Sequence, residues 1–556
     1  QLKDLEREAI IWGSTTLRTP MEFPRVGPEA VKGIEISPYA AEIARVVIWI
    51  GEIQWMLNNG FAYRKNPILS KLDAIENRDA LLDWTDPYHP VEADWPDATF
   101  IVGNPPFIGA KLLRRALGHE YVEHLFRIFK DRLPGMSDFV VYWHEKARAM
   151  LEAGRVEKVG LLATQGIRGG ASRRVLERIK ESGEIYMAWS DEPWILDGAA
   201  VHISFVAYDD GSEPQKTLDG NPVDSINANL TTGVDLTWAK KLPENRGIGF
   251  VADVKGGPFD IPPAVAEELL ASPNPDGRSN ADVVRPWVNG QDLTSRPRGW
   301  WIVDFGVDMP VQEASLYEAP FEYVRDRVKP FRDTVRRDKY RENWWLHVEP
   351  GAGMRTALDG LSRYIATPTT TKHRLFTWLG SSTLADHAII AFARDDDYTF
   401  GVLHSRVHEL WARGMGTQLR EVESGFRYTP TTTFETFPFP MPSDEQREAI
   451  AAVARELHRL REGWLNPEGA LDEELERRTL TNLYNERPSW LAQAHDRLDH
   501  AVLDAYGWPA DIDTDDLLAR LLALNLERAC GDSEMLPEYD FRGAVRGKYA
   551  ARISAE

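Results

Sequence analysis

The sequence predicts an α/β protein: a parallel-sheet core, then a second mixed α/β domain, then a helical C-terminal region. Three observations predict it. The first two hundred or so residues alternate strand and helix patterns. From about 281 to 440, Trp, Arg and other aromatic residues are dense and that alternation stops. From 443 onward helical periodicity prevails. A chain of 556 residues is too long for one core and implies about two to four domains.

Taken in order, Leu2 to Trp12 has helical spacing. Ala30 to Ile36 reads as a short buried strand. Ser37-Pro38 then supplies an N-cap residue and a proline for the first helical position, opening a helix from Tyr39 to Leu57. Thr99 to Val102 is a buried strand that runs into Asn104-Pro105-Pro106. Val159 to Thr164 and Ile203 to Ala207 are two more strands. The boundaries expected are a core over 1–208, a linker with irregular structure over 209–280, a second domain over 281–440 and a helical region over 441–556. Gly, Pro, Asn and Asp mark the linker, and the run Phe437-Pro438-Phe439-Pro440-Met441-Pro442 closes the second domain. Helices are expected over Asp444 to Gly463, Leu471 to Asn485 and Ser489 to Tyr506. No internal repeat or low-complexity tract is present.

Composition narrows the function classes. No window approaches about 18 uninterrupted apolar residues, so a membrane span is not expected. The start, Gln1-Leu2-Lys3-Asp4, has no signal-peptide core. The single cysteine, Cys530, excludes an internal disulfide and a cysteine-rich zinc site, and fits a reducing cytoplasm. The thirteen His residues are read as scattered, and no metal is expected. A formal net charge of −21 argues only superficially against nucleic acid, because binding depends on local potential. Tyr323 to Phe376 carries twelve Lys or Arg and six Asp or Glu, a basic segment in an acidic chain.

Asn104-Pro105-Pro106-Phe107, directly after an apolar strand, is the most specific motif. A residue before proline is pushed out of the helical region, so the backbone stays extended. The Asn104 side-chain oxygen and the Pro105 carbonyl can both accept hydrogen bonds from an amino group. Two fixed acceptors orient the nitrogen lone pair toward an electrophile. Phe107 offers a face for an extruded base. The carboxyl edge of a parallel strand is also where open α/β sheets bind ligands. Glu35, at the end of an earlier strand, can hydrogen-bond ribose hydroxyls of a nucleoside cofactor. Asp79, in Arg78-Asp79-Ala80-Leu81, can accept from an adenine amino group.

Gly33-Ile34-Glu35-Ile36-Ser37-Pro38, Arg78-Asp79-Ala80-Leu81 and Gly103-Asn104-Pro105-Pro106-Phe107 occur in that order. They resemble motifs II, III and IV of class I amino-methyltransferases acting on DNA. Ala163 to Gly170, Arg285 to Asp292, Arg363 to Pro368, Phe400 to Ser405, Phe434 to Pro440 and Ala494 to Asp499 extend the resemblance to the MmeI-like family over nearly the whole chain.

The resemblance implies a Rossmann-like class I methyltransferase core followed by a target-recognition domain. It implies S-adenosylmethionine as cofactor, bound by Glu35, Ile36, Asp79, Ala80 and Asn104. Asn104, Pro105, Pro106 and Phe107 are the catalytic loop. N6-adenine methylation of duplex DNA within a restriction-modification or phage-defence system is the implied activity. A nuclease domain or subunit of the same system is an implied partner. The family's Gly-rich motif I is absent ahead of the helix Leu2 to Trp12, and a truncated sequence is the simplest account.

Arg168, in the loop after the Val159 to Thr164 strand, is expected to meet a phosphate. Asp138-Phe139 reads as a helix start with core packing, and His202 as structural. In the second domain Arg285, Arg336, Arg337, Arg355, Lys372 and Arg374 are expected to contact DNA, with Arg296, Arg298, His373 and Arg427 as further candidates. Trp300, Trp301, Trp344, Trp345 and Trp378 are expected in the core. Two rival readings stand beside this one. One is N4-cytosine methylation by the same amino-group geometry. The other is a sequence-specific DNA-binding protein that has lost methylation.

Overall fold

The computed structural model describes residues 2–20, 24–60, 72–196, 199–418 and 426–530. The expected helical region beyond 530 lies outside the described residues. The described residues form two compact units, one over 2–233 and one over 234–530.

In the first unit, α1 (Leu2–Thr16) precedes β1 (Gly33–Glu35), which pairs in parallel with β2 (Ile75–Asn77), Glu35 opposite Asn77. Between them runs α2 (Pro38–Asn58). Its N-cap is Ser37, whose side chain accepts the Ala40 N–H at 3.4 Å, and Pro38 opens the first turn, as the Ser-Pro pair predicts. β3 (Leu82–Asp83) and β4 (Val91–Glu92) form a short antiparallel pair.

A six-stranded sheet follows. Its strands are β5 (Phe100–Gly103), β6 (Lys158–Thr164), β7 (Glu184–Leu196), β8 (Ala199–Asp209), β9 (Lys216–Leu218) and β10 (Asn221–Val223), in the order β10-β9-β7-β8-β6-β5. β5 and β6 are parallel, but β8 runs antiparallel to both β6 and β7. The expected parallel sheet is therefore mixed. β7, which periodicity did not reveal, is separated from β8 by only two residues. That is too short for the crossover a parallel neighbour needs.

The helices α3 (Leu113–Leu117), α4 (His119–Phe129), α5 (Val141–Glu152) and α6 (Arg174–Ser182) complete the unit. Helical spacing puts Val122, Leu125 and Phe129 on one face of α4, and Val175, Leu176 and Ile179 on one face of α6. They are buried in one core with Val159, Leu161, Ile185 and Val206 of the sheet. Each such side chain contributes about 1.5–3 kcal/mol when fully buried. Glu145 of α5 is fully buried and is held by Arg148 and Arg178 at 3.0 Å. β5 ends the sheet with Val102 82% exposed.

The second unit holds two four-stranded sheets. One orders Gly249–Val251, Ile389–Phe392, Arg363–Pro368 and Thr377–Gly380, all antiparallel. The other orders Asp260–Ile261, Trp301–Val303, Val284–Val288 and Leu384–Ala385. A small three-stranded sheet joins Thr370–Thr371, Phe426–Arg427 and Thr417–Gln418. Residues 209–280, expected as a linker, contribute strands to both units.

The C-terminal helices Asp444–Leu465, Ser489–Ala505 and Thr514–Cys530 pack with Asp397–His404 and Arg406–Met415 around Phe400, Trp411, Ile450 and Leu498. The helix expected over Leu471 to Asn485 is broken into Asp472–Arg477 and Leu480–Glu486, because Thr479 turns out to cap the Asn482 N–H. The five Trp expected in the core are partly buried against it. Trp378 stacks on Phe400 at 4.8 Å.

Candidate active site

The parallel β1–β2 pair brings two acidic positions together at its carboxyl end. The Glu35 carbonyl accepts the Arg78 N–H at 3.1 Å and the Asn77 side-chain amide at 2.8 Å, so the loop carrying Asp79 is tied to the end of β1. One Glu35 carboxylate oxygen accepts the Ser37 N–H at 2.8 Å. Ile36 beside it is 69% exposed.

Asp79 is held more tightly. Its Oδ1 accepts Leu81 N–H at 2.8 Å, Leu82 N–H at 3.3 Å and the Tyr121 hydroxyl at 3.3 Å, while Oδ2 faces the Trp84 indole N–H at 3.4 Å. Burial, and then the Asp79 charge, push the Tyr121 hydroxyl far up, so Tyr121 remains a donor. The Ala80 carbonyl accepts the Trp95 indole N–H at 2.6 Å.

The Asn104–Phe107 loop leaves the carboxyl end of β5, with Gly103 paired to Leu161 of β6. Asn104 and Pro106 are exposed, Pro105 is buried, and Phe107 is half-buried against the core. Two bonds brace the loop from below. Asp138 Oδ1 accepts the Ala110 N–H at 2.9 Å, and the Phe139 N–H donates to the Ile108 carbonyl at 2.9 Å. Asp138 Oδ2 also accepts the Thr164 hydroxyl at 3.4 Å, joining the loops after β5 and β6.

Tyr121 closes the circuit. Its ring meets Phe139 edge-on at 6.3 Å, so a continuous path of contacts runs from Asp79 through Tyr121 and Phe139 to Ile108. Sequence reading missed Tyr121 and Trp84 as partners of Asp79. It placed Asp138 at a helix start, whereas its carboxylate reaches 28 residues back along the chain. No local pattern signals such a contact. Arg168 is half-buried and its Nε donates to the Asn229 carbonyl at 3.1 Å. Burial lowers its pKa against the pull of Asp191 and Asp219.

In the second unit the expected DNA-contact cations fall into two groups. Arg336, Arg337, Lys372 and Arg427 are exposed. Arg337 donates to the Tyr340 hydroxyl at 2.9 Å, and Lys372 to Asn485 at 3.0 Å. The others are engaged inside the fold. Arg355 bonds Asp304 at 2.7 Å and Asp253 at 2.8 Å, and Arg285 caps the Ser381 and Ser382 carbonyls. Burial alone would raise the Asp304 carboxyl, but His347, Arg355 and Arg285 hold it down at about 2.

Arg374 calls for a correction. It is buried, donates to the Thr367 hydroxyl and the Pro368 carbonyl, and lies over the Tyr428 ring at 5.0 Å. Burial lowers its pKa to about 10. A guanidinium spent on an interior hydroxyl and carbonyl is a structural group, so Arg374 is not assigned to DNA. Arg296 likewise bonds the Leu465 and Leu475 carbonyls, and Arg298 pairs with buried Asp292.

His404 and His408 stand four residues apart, a metal-ligand spacing that the sequence reading passed over. Both are buried with all ring nitrogens engaged. His404 Nδ1 donates to the Phe400 carbonyl and Nε2 accepts from Phe376 N–H and Arg461. His408 bonds the Leu403 carbonyl and the Tyr428 hydroxyl. No group of three or more His, Cys, Asp or Glu suited to a metal occurs among the described residues. No helix among them is long and apolar enough to cross a membrane.

Comparison with known proteins agrees with this anatomy. A family model described as the MmeI DNA-methyltransferase domain matches residues 1–218, and one described as the MmeI target recognition domain matches 363–441. DNA methyltransferase A of Bacillus subtilis (strain 168) is 23% identical over 518 residues, covering 87% of this chain and 54% of that protein. The chain thus spans about half the length of this curated relative. The solved structure of the type IIL restriction-modification enzyme MmeI in complex with DNA superposes with a TM-score of 0.73 at 20% identity, covering 95% of this chain and 70% of that one. Residues 1–218 thus belong to the MmeI DNA-methyltransferase domain family and residues 363–441 to the MmeI target recognition domain family.

Proposed function

We propose that the protein methylates N6 of adenine at a specific site in duplex DNA, using S-adenosylmethionine, within a restriction-modification or phage-defence system. The observation that carries this reading is the Asn104–Phe107 loop at the carboxyl end of β5, braced by Asp138. Duplex DNA is the substrate and partner, with a nuclease domain or subunit as a further partner.

The nucleoside side of the cofactor fits the residues present. Glu35 uses one carboxylate oxygen on Ser37 and keeps acceptor capacity for ribose hydroxyls, beside the exposed apolar surface of Ile36. Asp79 is oriented by its own loop, and Oδ2, with one long contact, keeps room for an amino group near Ala80. When bound, S-adenosylmethionine supplies the electrophilic methyl group.

The chain's own residues do the rest. Asn104 Oδ1 and the Pro105 carbonyl accept the two N–H groups of the adenine amine and turn its lone pair outward. The same two oxygens stabilise the positive charge that develops on that nitrogen. Phe107 stacks on the flipped base. Orientation rather than a strong general base supplies much of the rate.

Labelled-methyl transfer to mixed-sequence duplex DNA, with Asn104→Ala beside the wild type, tests the assignment. Nucleoside mass spectrometry should then show N6-methyladenine from the wild type only. Equal incorporation by both proteins would overturn the catalytic loop, and N4-methylcytosine would move the target to cytosine. Site-specific DNA binding without cofactor affinity would favour the non-catalytic reading.

A further inference from the structure

The chain between the strands Arg363–Pro368 and Thr377–Gly380 is held at three places. Buried Arg374 ties it to the Thr367 hydroxyl at 3.2 Å and to the Pro368 carbonyl. Thr370 and Thr371 pair with Arg427 and Phe426. Asn485 belongs to the helix Leu480–Glu486, outside the matched recognition domain, and holds the two side chains in between. Its Oδ1 accepts Lys372 Nζ at 3.0 Å and His373 Nε2 at 2.9 Å.

That shared oxygen fixes a tautomer. An ammonium group only donates, so Lys372 obliges Asn485 to present its amide oxygen rather than its nitrogen. An amide oxygen cannot donate, so His373 Nε2 carries the ring proton. In the neutral imidazole Nδ1 is then an acceptor. His373 is half-buried, and its Nδ1 keeps accessible surface and has no hydrogen-bond partner among the described residues.

The ring is steadied as well. Its centre lies 6.0 Å from that of Tyr484, and the Tyr484 hydroxyl shares a 2.8 Å bond with His495 Nε2. The helix that carries Tyr484 and Asn485 is anchored by buried Leu480 and Leu483, and the Thr481 hydroxyl donates to the Thr294 carbonyl at 3.1 Å. His373 thus offers an open lone pair from a fixed ring in a fixed tautomer, which is preorganised for a donor outside the chain. In the major groove the amino donors are adenine N6 and cytosine N4, whereas guanine and thymine present oxygen and nitrogen acceptors. An acceptor on the protein favours the first two bases and repels the lone pairs of the others.

We infer that His373 is a specificity-determining residue. Its Nδ1 accepts a hydrogen bond from the exocyclic amino group of an adenine or cytosine that stays paired in the duplex, and Asn485 is the positioning residue that fixes its tautomer. The assignment rests on the duplex-DNA reading above.

The test uses the whole chain beside His373→Ala, Asn485→Ala and Asn485→Asp. Each protein selects bound duplexes from a random-sequence pool. The wild type should select adenine or cytosine at one position where His373→Ala takes any base, with the other positions unchanged. The base selected there separates the two amino sources. Affinity is then measured with that base replaced by its counterpart lacking the amino group. The wild type should lose about fivefold to tenfold, and His373→Ala nothing further. Asn485→Ala should narrow the wild-type ratio, and Asn485→Asp, which keeps an acceptor, should restore it. An Asn485 that is merely structural would weaken both duplexes alike. Should His373→Ala fold poorly, His373→Phe keeps the ring contact with Tyr484 and removes the acceptor. An unchanged selected sequence with an unchanged loss on amino removal in the His373 variant would overturn the base contact. A ratio unmoved by Asn485→Ala would overturn the positioning role. A wild type that binds no duplex would overturn the DNA-binding reading itself, and the assignment with it.

Discussion

Asp138 Oδ1 accepts the backbone N–H of Ala110 at 2.9 Å, across 28 residues of chain. This bond fixes the far end of the loop that begins at Asn104, and the Thr164 hydroxyl on Oδ2 fixes Asp138 in turn. Under the proposed function, Asp138 is thus a positioning residue for that loop.

Asp138→Ala should lower single-turnover methyl transfer by about tenfold to a hundredfold, because a shift of about 1 Å in a reacting group has that scale of effect. Stability should fall by only about 1–3 kcal/mol. Asp138→Asn keeps an acceptor for Ala110 and should recover most of the rate. A folded Asp138→Ala protein with wild-type single-turnover kinetics would remove the positioning role.

Tyr121→Phe removes one donor from Asp79 and leaves the ring packing on Phe139. The expected result is a cofactor KM raised several-fold with kcat little changed, since the loss falls on binding rather than on the acceptor loop. A kcat effect with an unchanged KM would show that Tyr121 acts through Phe139 on the loop instead.

The cations of the second unit should separate by environment. Arg355→Met strands the buried carboxylates Asp253 and Asp304. Breaking a buried pair costs about 3–5 kcal/mol, so this variant should lower the unfolding temperature of the protein. Arg336→Gln and Arg337→Gln should leave that temperature unchanged, and each reduce the salt slope of DNA binding by about one. Thermal scans and salt titrations of all three variants check this, and an unaltered unfolding temperature for Arg355→Met would contradict it.

Stability should decline as pH falls below the ordinary His range. Burial lowers His144 and His495 to about 4, His408 to about 3, and His404 well below its usual value. These groups are neutral when folded but take up protons near pH 6.5 once unfolded. The folded state is therefore penalised increasingly from about pH 6.5 downward, until each folded pKa is reached. For the fully buried His144 and His408 the full penalty is on the order of 3–5 kcal/mol each. Asp304, held at about 2, loses its contribution only below the usual carboxylate range. Urea unfolding followed from about pH 8 down to about pH 5 should show a falling midpoint. A flat profile would contradict the burial of these histidines as neutral groups.

What could be read early depended on the range of the interaction. Ser37-Pro38 announces its helix because cap and proline act within one turn. β7 stayed hidden because its partner β8 decides its direction, and two residues between them exclude a crossover. Arg374 looked like its neighbours Lys372 and His373 in a basic stretch. Only burial distinguishes it.

The sequence by itself determined the order of the proposed site along the chain: Glu35, Asp79, then the Asn104–Phe107 loop, with a recognition domain downstream. Those signals are local, carried by backbone restriction at proline and by strand and helix periodicity. The tertiary structure alone decided which charged groups remain available and which are spent. Asp138 braces the loop, and Arg355 and Arg374 serve the interior. Hydrogen bonding and desolvation between residues far apart in sequence settle such roles, and residue type and spacing do not encode them.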